Sequence, residues 1–263
     1  MTKLALIGAD PEAFVRNGPV IAHCIDLLGG DKAYPRLVMD GAVQEDNVLF
    51  EFNVDPTANP VEFLGYIRHV LEQGQEILLD HGLRIAPKVS SHVYDNMTGF
   101  PEKAFEFGCT PDYNCFGGGQ NPVPTSVNPF LRTAGGHVHI GFSHLTTVTK
   151  ELQENVGMMC DYLLGLPSLL EDDDAQRREL YGKAGAIRYK PYGVEYRTLS
   201  NYWIWDDELV QTVHARAQKA FDDVAKLPLY QALVPQADVQ AAINNNDRAS
   251  AVAMLKVLEN ASI

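Results

Sequence analysis

Residues 135–142 read GGHVHIGF, in which two histidines alternate with apolar residues. Side chains on a β-strand point alternately to opposite faces, so this stretch predicts a strand with one buried face and one face that carries imidazoles. Three further stretches alternate in the same way but carry acids or a guanidinium: GADPEAFV at 8–15, QEDNVLFEFN at 44–53 and VEYR at 194–197. Together they predict a sheet with one apolar face and one charged face.

Helix signals lie between and after these strands. Asn59, Pro60 and Glu62 form a variant of the capping box, which predicts a long helix that ends near Gly82. Two further helices are predicted, one from Thr149 to about Leu164 and one from Asp206 or Asp207 to about Leu227, followed by two short helical stretches. Apolar spacing also predicts a helix over Pro19–Leu28 and strands over Leu83–Tyr94 and Val194–Trp203.

The order of these elements indicates the fold class. Strands and helices follow one another without a regular βαβ order, which favours an α+β fold with a largely antiparallel sheet and flanking helices. With 263 residues, 46% of them hydrophobic, the chain can bury the core of a single catalytic domain over 1–263. We expect its core to cover about 1–205 and a C-terminal helical extension to cover about 206–263.

Charge and hydropathy limit the binding partners and the cellular location that we expect for the protein. The net charge of −13 argues against binding to a nucleic acid polymer, because an acidic surface repels phosphate backbones. No apolar run reaches the length of a membrane span, and the start predicts a strand rather than a signal peptide, so we expect a cytoplasmic protein. Cys24 and Cys160 are predicted to be buried thiols. Cys109 and Cys115 are also expected to be reduced, and a disulfide between these two is the alternative.

The acids of the predicted charged face require a counter-charge. Carboxylates gathered on one face would repel and raise each other's pKa, and a divalent cation is the simplest remedy. An oxygen-rich ligand set with one or two imidazoles suits Mg²⁺ or Mn²⁺, and the number of acids indicates more than one ion. The residues expected on this face are Asp10, Glu12, Glu51, Asn53, His137, His139, Glu195 and Arg197, with Glu45 as a further candidate.

The sequence lacks both the known phosphate-binding loops and the nucleophile elbow of serine hydrolases. It contains neither GxxxxGK[ST] nor GxSxG, and Gly117–Gly119 lacks the GxGxxG spacing. A bound nucleotide would therefore be held by metals and by cationic side chains. Arg188, Lys190 and Arg197 are available. Arg132 and Lys183 are further candidates, although each is more readily interpreted as a surface charge. The Gly-, Pro- and Asn-rich stretch 108–134 predicts a functional loop of the lid type.

In chain order, GADPEAFV, QEDNVLFEFN, GGHVHIGF and RYKPYGVEYRTLSNYW (188–203) resemble the catalytic series of the glutamine synthetase and glutamate–cysteine ligase superfamily. FGCTPDYN at 107–114 is similar to the carboxylate–amine ligases (type 2) of phage and bacterial genomes. The resemblance runs from about residue 5 to about 205 and leaves the C-terminal helices outside. It implies a glutamine synthetase-like sheet and an ATP-dependent ligase that uses Mg²⁺ or Mn²⁺ and forms an acyl phosphate.

The resemblance also implies a role for each residue. Metal ligands would be Asp10, Glu12, Glu45, Glu51, His137 and Glu195, divided between two ions. ATP would be bound by His139, Arg188 and Arg197, and the last two would also be catalytic. Beyond the resemblance, Lys190 is a further cation available to ATP, and Asp112 is a possible catalytic base, beside a plainer interpretation as a turn residue. The chain departs from the family in its first acid, which is Asp rather than Glu, and in the tighter spacing from Glu45 to Glu51.

Three other functions stay open on the sequence alone. A guanidino kinase would use the same sheet and metals, a metal-dependent amidohydrolase would use His137 and His139 with Zn²⁺, and a catalytically idle module would only bind a nucleotide. If the protein is a ligase, its partners are a carboxylate and an amine, each a small molecule or a peptide. The sequence leaves open whether the protein forms a homo-oligomer.

Overall fold

A computed structural model describes residues 4–105, 112–117, 119–121 and 128–261. Within these ranges, helices flank a large antiparallel sheet, which confirms the predicted α+β class. Cys24, Cys115 and Cys160 are buried free thiols, whereas Cys109 lies outside the described residues. No helix in the described ranges is both long enough and apolar enough to cross a bilayer.

Ten strands of the described chain form one sheet, whose main path runs β3-β4-β5-β1-β10-β12-β11-β8. The pairs along this path are antiparallel, and β2 and β6 pair with the second half of β1. A separate pair is formed by β7 and β9. The strands are β1 Leu6–Asn17, β2 Val20–Ala22, β3 Arg36–Val38, β4 Gly41–Asp46, β5 Leu49–Thr57, β6 Arg84–Ala86, β7 Ser91–Val93, β8 Tyr113–Asn114, β9 Leu131–Thr133, β10 Gly136–Gly141, β11 Ala186–Lys190 and β12 Gly193–Tyr196.

The helices cover one face of this sheet. They are α1 Pro60–Leu79, α2 Lys150–Cys160, α3 Leu166–Glu171, α4 Arg177–Leu180, α5 Asp207–Asp222, α6 Leu227–Leu233, α7 Gln236–Asn244 and α8 Arg248–Asn260. A π-helical segment, Asp161–Gly165, joins α2 to α3. Although α5 lies in the predicted C-terminal extension, it packs against α1, β1 and β10, and so it contributes to the layer that covers the sheet.

The predicted starts of α1, α2 and α5 are confirmed. Asn59 Oδ1 accepts from the Val61 amide at 2.9 Å, and Thr149 and Asp206 cap α2 and α5 in the same manner. The predicted capping box differs in one contact: the Glu62 carboxylate accepts from the Thr57 hydroxyl at 2.7 Å rather than from the Asn59 amide. The Asn59 amide donates to Thr57 Oγ1 instead, so the same groups are satisfied by a different pairing.

Three predicted elements are wrong, each because of tertiary pairing or a turn. The stretch 19–28 is not a helix, because Val20–Ala22 pairs with the end of β1 and Asp26 adopts a positive φ of 61°. The strand predicted over 83–94 is divided into β6 and β7 by a turn at Lys88, whose φ is also 61°. The strand predicted over 194–203 ends at Tyr196, and a 3₁₀ turn follows at Asn201–Trp205.

The packing of α1 on the sheet depends on a glycine. Phe50 on β5 is fully buried, and a methyl group at Gly74 of α1 would lie 2.6 Å from its Cε2 atom. Real carbon atoms do not approach so closely, and the enclosed ring has no space to move into. The absence of a side chain at Gly74 therefore sets how closely α1 approaches β5.

We expect Gly74→Ala to destabilise the protein by about 1–3 kcal/mol, because overpacking outweighs the better helix propensity of alanine. Gly65 in the same helix has no heavy atom within 4 Å of an added methyl group, so it is a matched control. Gly65→Ala should stabilise the protein by up to about 1 kcal/mol. Urea unfolding of both variants measures the difference, and equal effects of the two substitutions would contradict this account of the α1–β5 contact.

Candidate active site

The register of the sheet brings the predicted acids of β1 next to residues of its two neighbours. Asp10 lies opposite His137 on β10, and Glu12 lies opposite Glu51 on β5. Because Asp10 and Glu12 are two residues apart on one strand, all four side chains belong to the same face of the sheet. This face is opposite the one that the helices cover.

The adjacent strands extend this face. His139 on β10 lies opposite Glu195 on β12, and Glu195 lies opposite Arg188 on β11. We call the resulting surface the charged face; its members are Asp10, Glu12, Glu51, His137, His139, Arg188 and Glu195, together with Lys190 and Arg197, which contact Glu195. The alternation in GGHVHIGF and VEYR therefore indicated the correct face.

Three members of the charged face could share one cation. His137 Nδ1 lies 3.4 Å from Asp10 Oδ1 and 3.9 Å from Glu195 Oε1. One ligand atom of each of these three residues lies within 4.8 Å of the others. Asp10 Oδ1 and His139 Nε2 are 3.0 Å apart, and they form an ion pair when the imidazole is protonated. These residues therefore offer ligand atoms to a cation, in competition with the protons on the imidazoles.

Electrostatics keep the two carboxylates ionised. Burial opposes ionisation of Asp10, but His139 and His137 outweigh it and lower the pKa of Asp10 well below its ordinary value. Burial and the charge of Asp10 also oppose ionisation of Glu195, yet Arg197 and the two histidines lower its pKa to about 2. Both groups carry negative charge at neutral pH, as metal ligands require.

Glu195 also contacts the cationic side chains that the sequence analysis predicted to bind phosphate. Its Oε1 lies 3.1 Å from an Arg188 nitrogen and its Oε2 lies 2.8 Å from Lys190 Nζ. Arg197 forms a further contact with Oε1, and its Nε lies 3.8 Å from Asp112 Oδ2. The structure thus brings Arg188, Lys190, Arg197 and Asp112 together around one fully buried carboxylate.

The other end of the charged face is acidic. Glu12 Oε2 accepts from the Gly135 amide at 2.7 Å, which fixes this carboxylate. Glu51 is buried and its Oε2 forms no hydrogen bond, with Lys32 Nζ at 4.0 Å. Burial and the charges of Asp46, Asp10 and Glu12 raise the pKa of Glu51 well above its ordinary value. Glu51 therefore occupies a position where an additional positive charge would be stabilising.

Glu45 does not share the charged face, contrary to expectation. The turn after β4 pairs Glu45 with Phe50 and Gln44 with Glu51, so Gln44 is the residue of β4 on the charged face. Glu45 points to the opposite side, where its carboxylate accepts from the Asp26 amide and from Lys103 Nζ. The expectation was wrong because the sequence does not give the register of this hairpin, and a shift of one residue exchanges the faces.

Arg132 and Lys183, the two cationic residues with weaker sequence signals, donate hydrogen bonds to backbone carbonyl oxygens. Arg132 is buried and donates to the carbonyl oxygens of Pro129 and Ala104. Lys183 donates to the Asn244 carbonyl at 3.3 Å. Neither residue belongs to the charged face.

Sequence reasoning missed Arg177. It is almost fully buried, donates to the Thr198 carbonyl at 2.9 Å next to Arg197, and has no hydrogen bond at Nε. Burial lowers its pKa to about 10. No local pattern marks it, because an arginine in a short polar helix usually faces solvent.

A cavity of about 390 Å³ lies beside the charged face. Asp10 and His139 form part of its wall, while Leu6, Val54 and Pro56 provide apolar surface. The Tyr192 ring also lines it, and the Tyr192 hydroxyl lies 2.5 Å from His139 Nδ1. Tyr192 thus connects the cavity to the imidazole next to Asp10.

Comparison with protein families identifies the class. Residues 125–261, just over half of the chain, match the model of a family of carboxylate–amine ligases. The family is described as phage phiEco32-like COOH.NH2 ligase-type 2, and this chain belongs to it. A comparison with curated proteins finds no match.

The matched range corrects the extent of the resemblance. It includes His137, His139, Arg188 and Glu195, and it continues through the C-terminal helices, which we had expected to lie outside. Asp10, Glu12 and Glu51 precede the matched range. The structure, rather than the family match, brings these N-terminal acids to the charged face.

We expect Glu51→Gln to stabilise the protein in the absence of divalent ions. A raised pKa means that the native state disfavours the ionised carboxylate, so wild-type stability falls as pH rises above the ordinary pKa of 4.5. The neutral amide avoids this loss, and the gain should be larger at pH 8 than at pH 5. Thermal unfolding in EDTA at both pH values measures it.

Glu76→Gln is the control, because Glu76 lies on the exposed surface of α1. Its effect should stay within about 0.5 kcal/mol at both pH values, the range typical of surface substitutions. If Glu51→Gln also stayed within that range at pH 8, the acidic end of the charged face would be compensated by groups other than a bound cation.

Proposed function

We propose that this protein is an ATP-dependent ligase that joins a carboxylate to an amine through an acyl phosphate, with Mg²⁺ or Mn²⁺ bound on the charged face. The observation that carries the proposal is the convergence of Asp10, His137 and Glu195 beside three cationic side chains in a member of a ligase family. The substrates would be a small-molecule or peptide carboxylate and an amine.

The charged face suits divalent cations. Asp10, His137 and Glu195 would hold one ion, and Glu12 with Glu51 would hold a second. Oxygen ligands with one imidazole are typical of Mg²⁺ and Mn²⁺ sites. Glu51 Oε2 supports this assignment, because it is buried without a hydrogen bond and buried carboxylate oxygens normally have a partner. Ions bound there would neutralise phosphate charge.

The nucleotide would bind across the cavity and the cations. The apolar walls of the cavity and the Tyr192 ring suit a flat purine base. From there, His139 lies on the way to Arg188, Lys190 and Arg197, which would bind the phosphates. These three cations now surround Glu195, so an incoming phosphate would take over part of their coordination.

A carboxylate reacts with amines only after activation, because oxide is a poor leaving group. Transfer of the terminal phosphoryl group of ATP converts it to an acyl phosphate, and Arg188 and Arg197 would stabilise the charge in transit. The amine would then attack and displace phosphate. Asp112, whose Oδ2 lies 3.8 Å from Arg197 Nε, would accept the proton from the amine. The stretch 108–134 contains β8 and β9, and its residues 108–111, 118 and 122–127 lie outside the described ranges. It would exclude water, which hydrolyses acyl phosphates.

Calorimetry tests the nucleotide site. Wild-type protein should bind ATP in the presence of Mg²⁺ and not in EDTA, and Glu195→Gln should abolish binding, because it removes one metal ligand and the charge that organises the cations. Glu45→Gln is the control, since Glu45 is a buried acid of the same sheet that faces away. It should retain binding if circular dichroism shows that it folds. Equal losses in both variants would contradict the assignment of Glu195.

Phosphate release distinguishes a ligase from related enzymes. With ATP, a carboxylate and an amine, wild-type protein should release phosphate only when both substrates are present. Asp10→Asn should lower this rate by about 100-fold or more, as the loss of a charge-stabilising group does in other active sites. Phosphate transferred to an acceptor would indicate a kinase instead, and amide hydrolysis without nucleotide would indicate a Zn²⁺ hydrolase.

A further inference from the structure

Asp161 is a buried carboxylate on the helix-covered side of the sheet, and it has no part in the chemistry described above. It is fully enclosed and is the first residue of the π-helical segment between α2 and α3. No cation of the described chain forms an ion pair with it, and burial raises its pKa to about 7. A buried acid without a counter-ion is costly, so stability alone does not account for it.

One oxygen of Asp161 binds both strands of the β11–β12 hairpin. Asp161 Oδ1 accepts from the Tyr196 hydroxyl at 2.7 Å and from the Gly185 amide at 3.1 Å. Gly185 immediately precedes β11, and Tyr196 is the last residue of β12. Asp161 therefore ties the open end of the hairpin to the helix behind it.

The helix is locally modified to allow this contact. A methyl group at Gly165, the last residue of the π-helical segment, would lie 2.6 Å from the Tyr196 hydroxyl. The wider π turn and the missing side chain together leave room for this hydroxyl to reach Asp161. Such π segments occur frequently at functional sites.

The hairpin carries the cationic part of the charged face on its other side. Tyr196 stands between Glu195 and Arg197 in sequence, and Arg188 follows Gly185 by three residues. Because adjacent residues of a strand point to opposite faces, the side chain fixed by Asp161 is directly behind the two that meet on the charged face. A rotation of β12 that lost the Tyr196 contact would move Glu195 and Arg197 as well.

We infer that Asp161 is a positioning residue, which acts through Tyr196 and Gly185 to hold Glu195 and its cations in the orientation that binds Mg²⁺ and the ATP phosphates. The inference rests on the proposed function for its ligand and on the hydrogen bonds of Asp161 for its mechanism. The two can therefore be tested separately.

Tyr196→Phe and Tyr162→Phe form a matched pair. Both tyrosines are fully buried, and each hydroxyl donates to one oxygen, that of Tyr162 to the Val234 carbonyl at 2.8 Å. Both variants should lower the melting temperature to a similar extent. Tyr196→Phe should also weaken Mg²⁺-ATP binding about tenfold, as loss of supporting contacts does at metal sites, whereas Tyr162→Phe should leave it unchanged. Equal effects on binding would overturn the inference.

Asp161 itself allows a conservative comparison. Asp161→Asn keeps an acceptor oxygen for Tyr196 and Gly185 and should bind Mg²⁺-ATP like wild type, whereas Asp161→Ala should show the tenfold loss. If Asp161→Ala does not fold, the tyrosine pair decides the question alone. Loss of binding in Asp161→Asn as large as in the alanine variant would overturn the positioning role.

Hydrogen exchange provides a measurement that does not depend on ATP. Amides of the hairpin, residues 186–196, should exchange faster in Tyr196→Phe than in Tyr162→Phe. Unchanged exchange would overturn the inference, whatever the ligand. If wild-type protein failed to bind Mg²⁺-ATP while the hairpin responded as expected, the proposed function would fail and the positioning role of Asp161 would stand.

Discussion

The attraction between Glu195 and its surroundings is the interaction on which the charged face depends. This carboxylate is inaccessible to solvent, yet its charge is stabilised on one side by histidines and on the other by Arg188, Lys190 and Arg197. Without it, Arg188, Lys190 and Arg197 would lose the carboxylate that they share. With it, an acidic end and a basic end coexist on one face of the sheet, across the five neighbouring strands β5, β1, β10, β12 and β11.

The long strand β1 makes this arrangement possible. It pairs with β5 and β10, and its second half pairs with β2 and β6, so Asp10 and Glu12 stand near the centre of the sheet rather than at an edge. Its alternate residues Ala9 and Ala13 are buried. These small side chains let the helices pack closely against one side of β1, while Asp10 and Glu12 point to the charged face on the other side.

Much of this face could be predicted from the sequence, because alternation is a local property. Alternation predicted that Asp10, His137 and Glu195 each lie on the polar face of a strand, the family resemblance implied that these strands share a sheet, and the structure brings the three residues together. Features that depend on pairing were out of reach: the register that turns Glu45 away, and the pairing that makes 20–22 a strand. Arg177 and Asp161 were also missed, since burial of a charged residue follows from tertiary packing and not from its neighbours in sequence.

The short turn between β4 and β5 determines which residue of β4 lies on the charged face. Asn47, at a positive φ of 54°, closes this turn and thereby decides that Gln44, not Glu45, faces Glu51. Inserting or deleting a single residue there would exchange an amide for a carboxylate without altering any side chain on the sheet. Related chains could in this way change the charge of their ion sites through loop length alone, so an alignment that ignores gaps at this turn would compare residues from opposite sides of the molecule.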